Sequence, residues 1–331
     1  MNWLVVGAGD IALKRVIPAI EAEPSSRLMA VCDAVPERAD DAARSRGARP
    51  YTDIEEGLGD PDVEAVYIAT PVFAHVPQAM MALKAGKHVI VEKPVALYYG
   101  QAQELVRVSQ SAKGRCAVAY YRRFYPRYRM AQEMLEKGEF GQVVLVRMTY
   151  FAWFDPTRDD PKYWRVVPEK SGGGPLPDMG SHMFDIMIGL FGLPVSVFAK
   201  AATLTHGYKV EDSSVATMVL GNGAQVIASF HWNSRTWSHE FEIVGTEAKV
   251  KWHPCDGATI TKTVGRDTEE IELPNSQNVH YPLIEDFVSA VAEGRQPQVS
   301  VEEAAKTNLL LDAIYLSAAE GREVAPAEMA Q

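Results

Sequence analysis

Asn2-Trp3-Leu4-Val5-Val6-Gly7-Ala8-Gly9-Asp10-Ile11-Ala12 decides the fold. Its first part is a short apolar run that reads as a buried strand. The G-x-G-x-x-A turn that follows opens a helix running to about Ala22. In that strand–turn–helix context Gly7 permits the tight turn. Gly9 lets the backbone approach a pyrophosphate, and the small Ala12 lets helix and strand pack closely. Free amide donors at the helix start, including those of Asp10 and Ile11, then face the phosphates.

Working outward, a second strand, Leu28 to Cys32, ends at Asp33, which lies 21 residues past Ala12. An acid there accepts hydrogen bonds from the adenosine ribose and repels a 2′-phosphate, which favours NAD; Arg38 leaves NADP possible. The alternative role for Asp33 is a helix N-cap before Pro36. Further strands are expected at Ala65–Ile68, His88–Val91 and Cys116–Ala119. Helices are expected at Pro36–Ser45, Asp53–Leu58, Pro77–Ala85 and Tyr99–Ser111. This alternation implies a doubly wound parallel sheet, read as six strands although these runs locate five. Ligands on such a sheet bind beyond the carboxyl ends of its strands. That edge carries Asp33, Thr70, Pro71, Glu92, Lys93, Pro94, Tyr121 and Arg122.

At 331 residues the chain has room for two domains, divided here as 1–121 and 122–331. It is 47% apolar and 23% charged, as a soluble globular protein is. No apolar run approaches the roughly 18 residues of a membrane span, and the first residues lack the basic leader of a signal peptide. The net charge of −10 argues against a nucleic-acid partner. The 3 cysteines, Cys32, Cys116 and Cys255, form no zinc pattern or disulfide framework, which points to a reducing cytoplasm.

Two further stretches carry chemistry. Glu92-Lys93-Pro94 ends a buried strand, and its lysine is placed either to stabilise a developing alkoxide or to form a salt bridge with Glu92 or Asp178. In Gly172-Gly173-Gly174-Pro175-Leu176-Pro177-Asp178-Met179-Gly180-Ser181-His182-Met183-Phe184-Asp185 the glycines permit close backbone approach. Ser181 or Asp178 is expected to cap the helix that follows. A continuous helix through Phe191 sets Asp178, His182 and Asp185 at i, i+4 and i+7, on one face. A metal site on those three is crowded and is not expected.

These motifs resemble the Gfo/Idh/MocA oxidoreductases, the family of glucose–fructose oxidoreductase and inositol dehydrogenase. The resemblance rests on Gly7 to Ala12, Ala85 to Pro94, Gly172 to Asp185, Thr70-Pro71-Val72-Phe73-Ala74-His75 and Tyr121-Arg122-Arg123-Phe124-Tyr125-Pro126. It implies a nicotinamide cofactor, NAD or NADP, and a sugar, cyclitol or related polyhydroxy substrate. It implies Lys93, Asp178 and His182 as the catalytic set, with His75, Glu92 and Arg122 among the cofactor residues. It also implies a second domain whose open, mostly antiparallel sheet forms a homo-oligomer interface, in a dimer or tetramer. Trp164-Arg165 is similar to the pair that lies near the cofactor in the 1,5-anhydrofructose reductase subgroup. That reductase favours NADP, whereas Asp33 argues for NAD.

The rest of the chain fits an α+β second domain. A helix is expected at Arg127–Lys137, a long strand at Val143–Phe151 and a loop at 155–170 carrying Tyr163, Trp164 and Arg165. Aromatic and guanidinium groups suit a sugar or nicotinamide. Strands are expected at Val195–Ala202, Ser214–Leu220, Gln225–His231, Glu240–Gly245, Lys249–His253, Ala258–Val264 and Glu269–Leu273, as hairpins. Phe230, Trp232, Phe241 and Ile243 are expected to form an apolar face for a partner subunit. Helices at Tyr281–Glu293 and Val301–Glu320 close the chain, and Tyr281 either reaches the substrate or caps its helix. The leading reading is reversible hydride transfer at a carbinol. The alternatives are NAD-assisted glycoside hydrolysis and a non-catalytic NAD-responsive binding protein.

Overall fold

The computed structural model describes residues 1–330. The chain forms two compact units. The first comprises Met1–Tyr121 and Ser276–Ala305, and the second Arg122–Asn275 with the chain end from Lys306. A single cut after Tyr121 therefore does not separate them, because residues 276–305 return to the first unit. That return is built on packing: Phe287 meets Trp3 with ring centroids 5.7 Å apart, and Val118 N donates to Val299 O at 3.1 Å.

The first unit is a six-stranded sheet of β1 (Asn2–Val6), β2 (Arg27–Cys32), β3 (Arg49–Tyr51), β4 (Ala65–Ile68), β5 (His88–Val91) and β6 (Cys116–Val118). Every pairing is parallel and the order is β3-β2-β1-β4-β5-β6. Leu4, Val5, Val6 and all of β4 are buried, as the continuous apolar runs of a sheet covered on both faces require. β3 is the strand that no sequence run located. It is three residues long, contains Pro50 and is largely exposed, so it sits at the sheet edge where a missing N–H is tolerated.

The second unit is built on an eight-stranded sheet. Its strands are β7 (Val143–Trp153), β8 (Ser196–Ala202), β9 (Ser213–Val219), β10 (Gln225–His231), β11 (Asn233–Gly245), β12 (Ala248–Trp252), β13 (Thr259–Val264) and β14 (Asp267–Glu272). The order is β14-β13-β12-β11-β7-β10-β9-β8, antiparallel except for the parallel pair β10–β7. Register decides its faces. One cross-strand row runs Trp252, Phe241, Met148, Ala228, Ala216, Ala199, and all six are buried. The neighbouring row places Phe198, Thr217, Ile227 and Arg147 on the opposite, exposed face. Because side chains alternate along a strand, each row is committed to one face.

This corrects the expected partner face. Phe230, Trp232, Phe241 and Ile243 are 1%, 2%, 0% and 0% exposed and belong to the core. Phe230 packs edge-on to Phe184 of the helix Ser181–Phe191 at 5.3 Å between centroids. Phe198, Val215 and Ile227 are among the exposed apolar side chains of this sheet instead.

That helix also carries Asp185, fully buried, which accepts from Arg123 Nε at 2.9 Å and Nη2 at 2.8 Å. Breaking a buried, bidentate pair leaves an uncompensated charge in the interior. Arg123→Leu is therefore expected to destabilise the second unit by about 3–5 kcal/mol, read as a lowered urea midpoint. A loss below about 1 kcal/mol contradicts this account of Asp185.

Candidate active site

In the first unit the glycine turn is set by space. Gly7 has φ +93°, and a Cβ there would lie 2.8 Å from Ala69 O. A Cβ on Gly9 meets nothing within 4 Å, so its backbone borders open space of the kind a pyrophosphate needs. The helix after the turn begins with a π-helical stretch, Ala12–Val16. Asp33 does not cap Pro36–Arg44, whose N-cap is Val35. Its Oδ2 accepts from Ala8 N at 2.8 Å and its Oδ1 from Val35 N at 2.9 Å, so it braces the turn at the carboxyl end of β2. Asp10 and Lys14 pair on the surface, and Arg38 is exposed. The amides, the open space and the carboxylate fit a dinucleotide.

At the ends of β4 and β5 several expected cofactor residues turn inward. Thr70 Oγ1 donates to Gln78 Oε1 at 2.7 Å. His75 is fully buried, and its ring nitrogens face Thr70 O at 2.7 Å and Pro94 O at 2.9 Å. Burial lowers its pKa, so the neutral ring donates to one of these two carbonyls and ties the two loops together. Glu92 is likewise internal. Tyr67 Oη donates to Glu92 Oε1 at 2.8 Å, and His280 Nε2 lies 3.2 Å from the same oxygen. Burial alone would raise the Glu92 pKa, but the His280 and Tyr67 hydrogen bonds and the Lys93 charge outweigh it and hold the group below the usual carboxylate range. Burial and the Glu92 charge push the Tyr67 phenol well above its ordinary value. Tyr121 packs on His280 with centroids 4.7 Å apart. Tyr281 lies next to these groups in sequence, yet its hydroxyl donates to Glu285 on its own helix.

The sequence reading missed Tyr67 and His280. The available signals were a phenol inside an otherwise aliphatic strand and a histidine directly before a Tyr-Pro helix start.

In the second unit the glycine run is a tight fit. A Cβ on Gly173 would lie 1.9 Å from Tyr315 Oη, and one on Gly174 would lie 1.9 Å from Glu211 O. Glu211 clasps the run, accepting from Gly174 N at 2.9 Å, Leu176 N at 3.2 Å and Tyr315 Oη at 3.0 Å. The run leads into a π-helical turn, Leu176–Gly180, and then the α-helix Ser181–Phe191. The expected single helix face assumed uniform α geometry, which the π turn breaks. Neither Ser181 nor Asp178 is the N-cap of its segment; those positions are Gly180 and Pro175. Both acids of the set have a guanidinium partner. Asp178 accepts from Arg165 Nη1 at 3.1 Å, Asp185 takes Arg123, and His182 is buried on the helix. Arg165 also lies 5.6 Å from the Trp164 ring centroid. Tyr163 packs with Val166, Val210 and Trp232.

Arg122, expected at the cofactor, forms a bidentate pair with Asp256 at 2.7 and 2.6 Å. His239, Cys255 and Asp256 are the one set among the described residues with metal-ligand spacing. Arg122 already occupies the carboxylate there, and Arg127, fully buried, donates to Cys255 O at 2.7 Å.

Residues 1–120 match the family model described as an oxidoreductase family with an NAD-binding Rossmann fold, and residues 128–251 match that of the GFO/IDH/MocA C-terminal domain. The chain belongs to the Gfo/Idh/MocA oxidoreductases. It is 28% identical to the 1,5-anhydro-D-fructose reductase of Ensifer adhaerens, over 91% of each chain. It is 28% identical to the inositol 2-dehydrogenase of Rhizobium meliloti, over 97% of each. The solved structure of a levoglucosan dehydrogenase with NADH superposes with a TM-score of 0.90 at 25% identity, over 98% of both chains. As a Gfo/Idh/MocA oxidoreductase, this protein has an NAD-binding Rossmann domain in residues 1–120. Among the described residues, no helix is long and apolar enough to cross a membrane.

The Arg122–Asp256 pair sets a pH dependence. Burial alone would raise the Asp256 pKa, but the Arg122 charge and hydrogen bonds outweigh it and hold the pKa at about 2 against an ordinary 3.8. A lowered carboxyl contributes stability above its unfolded pKa and loses it as the pH falls through the folded one. Because 36% of this side chain is exposed, solvent screens the gain to about 1 kcal/mol. Between pH 4 and pH 2 the wild type is expected to lose thermal stability more steeply than Arg122→Met. Equal slopes in the two melting series refute the coupling.

Proposed function

We propose that the chain is an NAD-dependent dehydrogenase or reductase. It moves a hydride between nicotinamide and a carbinol or carbonyl of a sugar, cyclitol or related polyhydroxy compound. The observation that carries this is the dinucleotide turn, with open space at Gly9 and a carboxylate at Asp33, in a chain whose relatives along its whole length are named for such substrates. Asp33 favours NAD over NADP through its negative charge.

The bound nicotinamide supplies or accepts the hydride. Lys93 holds the substrate oxygen as negative charge develops on it. His182 takes the hydroxyl proton in oxidation and returns it in reduction. Asp178, braced by Arg165, orients the imidazole or the hydroxyl. Tyr121, Tyr163 and Trp164 offer aromatic surface to the sugar. Cys32, Cys116 and Cys255 are buried free thiols, which suits a reducing cytoplasm.

Lys93→Met is expected to bind NADH within about twofold of wild type, by quenching of intrinsic fluorescence. Its turnover of a panel of anhydro sugars, aldoses and inositols, followed at 340 nm, is expected to fall by about 10³-fold or more. Unchanged turnover removes Lys93 from the mechanism. Cleavage of a glycoside with no net change in NADH absorbance establishes the NAD-assisted hydrolase reading instead.

The exposed face bearing Phe198, Val215 and Ile227 is the surface we assign to a homo-oligomer, since an apolar patch on an open sheet favours self-association. Ile227→Lys is expected to shift sedimentation from an oligomer towards a monomer. A monomeric wild type, or an oligomer indifferent to that change, overturns the assignment.

A further inference from the structure

Glu92 is 7% exposed at the end of β5, directly before Lys93. A carboxylate in such a place is costly unless hydrogen bonds replace its water. Three donors do so: Tyr67 Oη at 2.8 Å, His280 Nε2 at 3.2 Å and Lys93 N at 3.3 Å. Tyr67 from β4 and His280, backed by Tyr121, contact the carboxylate directly, and it is coupled through space to His75 from the helix His75–Lys84 and to the Lys93 charge.

His280 is supplied by residues 276–305, the segment that returns to the first unit. It is held there deliberately: Asn278 Nδ2 donates to Arg15 O at 2.7 Å, and His280 N donates to Asn278 Oδ1 at 3.0 Å. The Nδ1 of His280 is buried without a hydrogen-bond partner among the described residues. The ring therefore presents its proton from Nε2 towards Glu92, and a lone pair rather than a second N–H is what stays unpaired.

We propose that His280, through this Nε2–H hydrogen bond, holds Glu92 as the fixed counter-anion of Lys93 and so positions the ammonium that serves the substrate oxygen. The role of that ammonium rests on the function proposed above. His280 is a positioning residue and touches neither cofactor nor substrate in this account. With its donor removed, Glu92 keeps the cost of burial and loses one of the interactions that oppose it. Its carboxyl is then more readily protonated, and Lys93 loses its anchor.

The test uses the full chain as His280→Leu and His280→Gln, the second retaining an N–H donor. Infrared difference spectra between pH 5 and pH 8 are expected to show a protonated-carboxyl band in His280→Leu. That band should be absent from wild type and from His280→Gln, and should vanish in the His280→Leu/Glu92→Gln double variant. This readout needs no turnover, so it stands even if no sugar is oxidised. Where a panel substrate is turned over, kcat of His280→Leu is expected to fall about tenfold, NADH affinity to stay within about twofold, and His280→Gln to recover most of the loss. If His280→Leu misfolds, Tyr67→Phe removes the other side-chain donor and is expected to give the same band. Absence of the band from His280→Leu, or from Tyr67→Phe where that variant replaces it, overturns the proposal, as does a band that survives Glu92→Gln.

Discussion

A carboxylate taken out of water must find its donors inside the protein, and three such groups hold this structure in shape. Asp185 answers to Arg123, Glu211 to two amides of the glycine run and a phenol, and Glu92 to Tyr67 and His280. Each joins segments far apart in sequence. Glu92 and His280 are 188 residues apart, and Glu211 and Tyr315 are 104 apart. A hydrophobic contact tolerates sliding, whereas a buried charge with several donors tolerates little. The acids therefore fix geometry to a degree that apolar packing alone does not.

The glycine run shows how this constraint reaches the chemistry. Glu211 can accept from Gly174 N and Leu176 N because Gly174 passes where any side chain would strike the Glu211 carbonyl. Burial raises the Glu211 pKa even against those donors. The clasp ends two residues before Asp178, and the π-helical turn follows at once. The direction in which Asp178 leaves the backbone is thus decided by an acid that appears in no motif.

Legibility in the sequence followed the range of the interactions. The strand–turn–helix at Asn2–Ala12, the parallel alternation and the hairpin order of the second sheet are local patterns, and their elements lie where the residues indicated. β3 was not located, because three exposed residues with a proline carry no periodicity. The faces of the second sheet were assigned the wrong way round. Alternation shows that two faces exist, but only the register of β7, β10 and β11 shows which one the helix Ser181–Phe191 covers. The motif residues Glu92, His75 and Arg122 were legible as important, but not the partners they bind. A motif gives a residue a position along the chain, whereas its partners Tyr67, His280, Pro94 and Asp256 come from tertiary contacts. The return of residues 276–305 to the first unit had no composition break to announce it.

The helix Ser181–Phe191 and the turn before it show why family chemistry should be read from partners rather than spacing. Two acids and a histidine within eight positions look like a metal cluster or a shared proton site. The structure spends both acids on guanidiniums: Asp185 on the buried Arg123 and Asp178 on Arg165. A guanidinium partner favours the charged form of a carboxylate. Of the three, the imidazole of His182 has the intrinsic proton affinity for exchange with a hydroxyl near pH 7. Arg165, the second residue of a Trp-Arg pair recognised only by resemblance, has a physical partner: it donates to Asp178. Under the proposed function Asp178 is the oriented anion and His182 the base, a division that reversible oxidation of a carbinol can use.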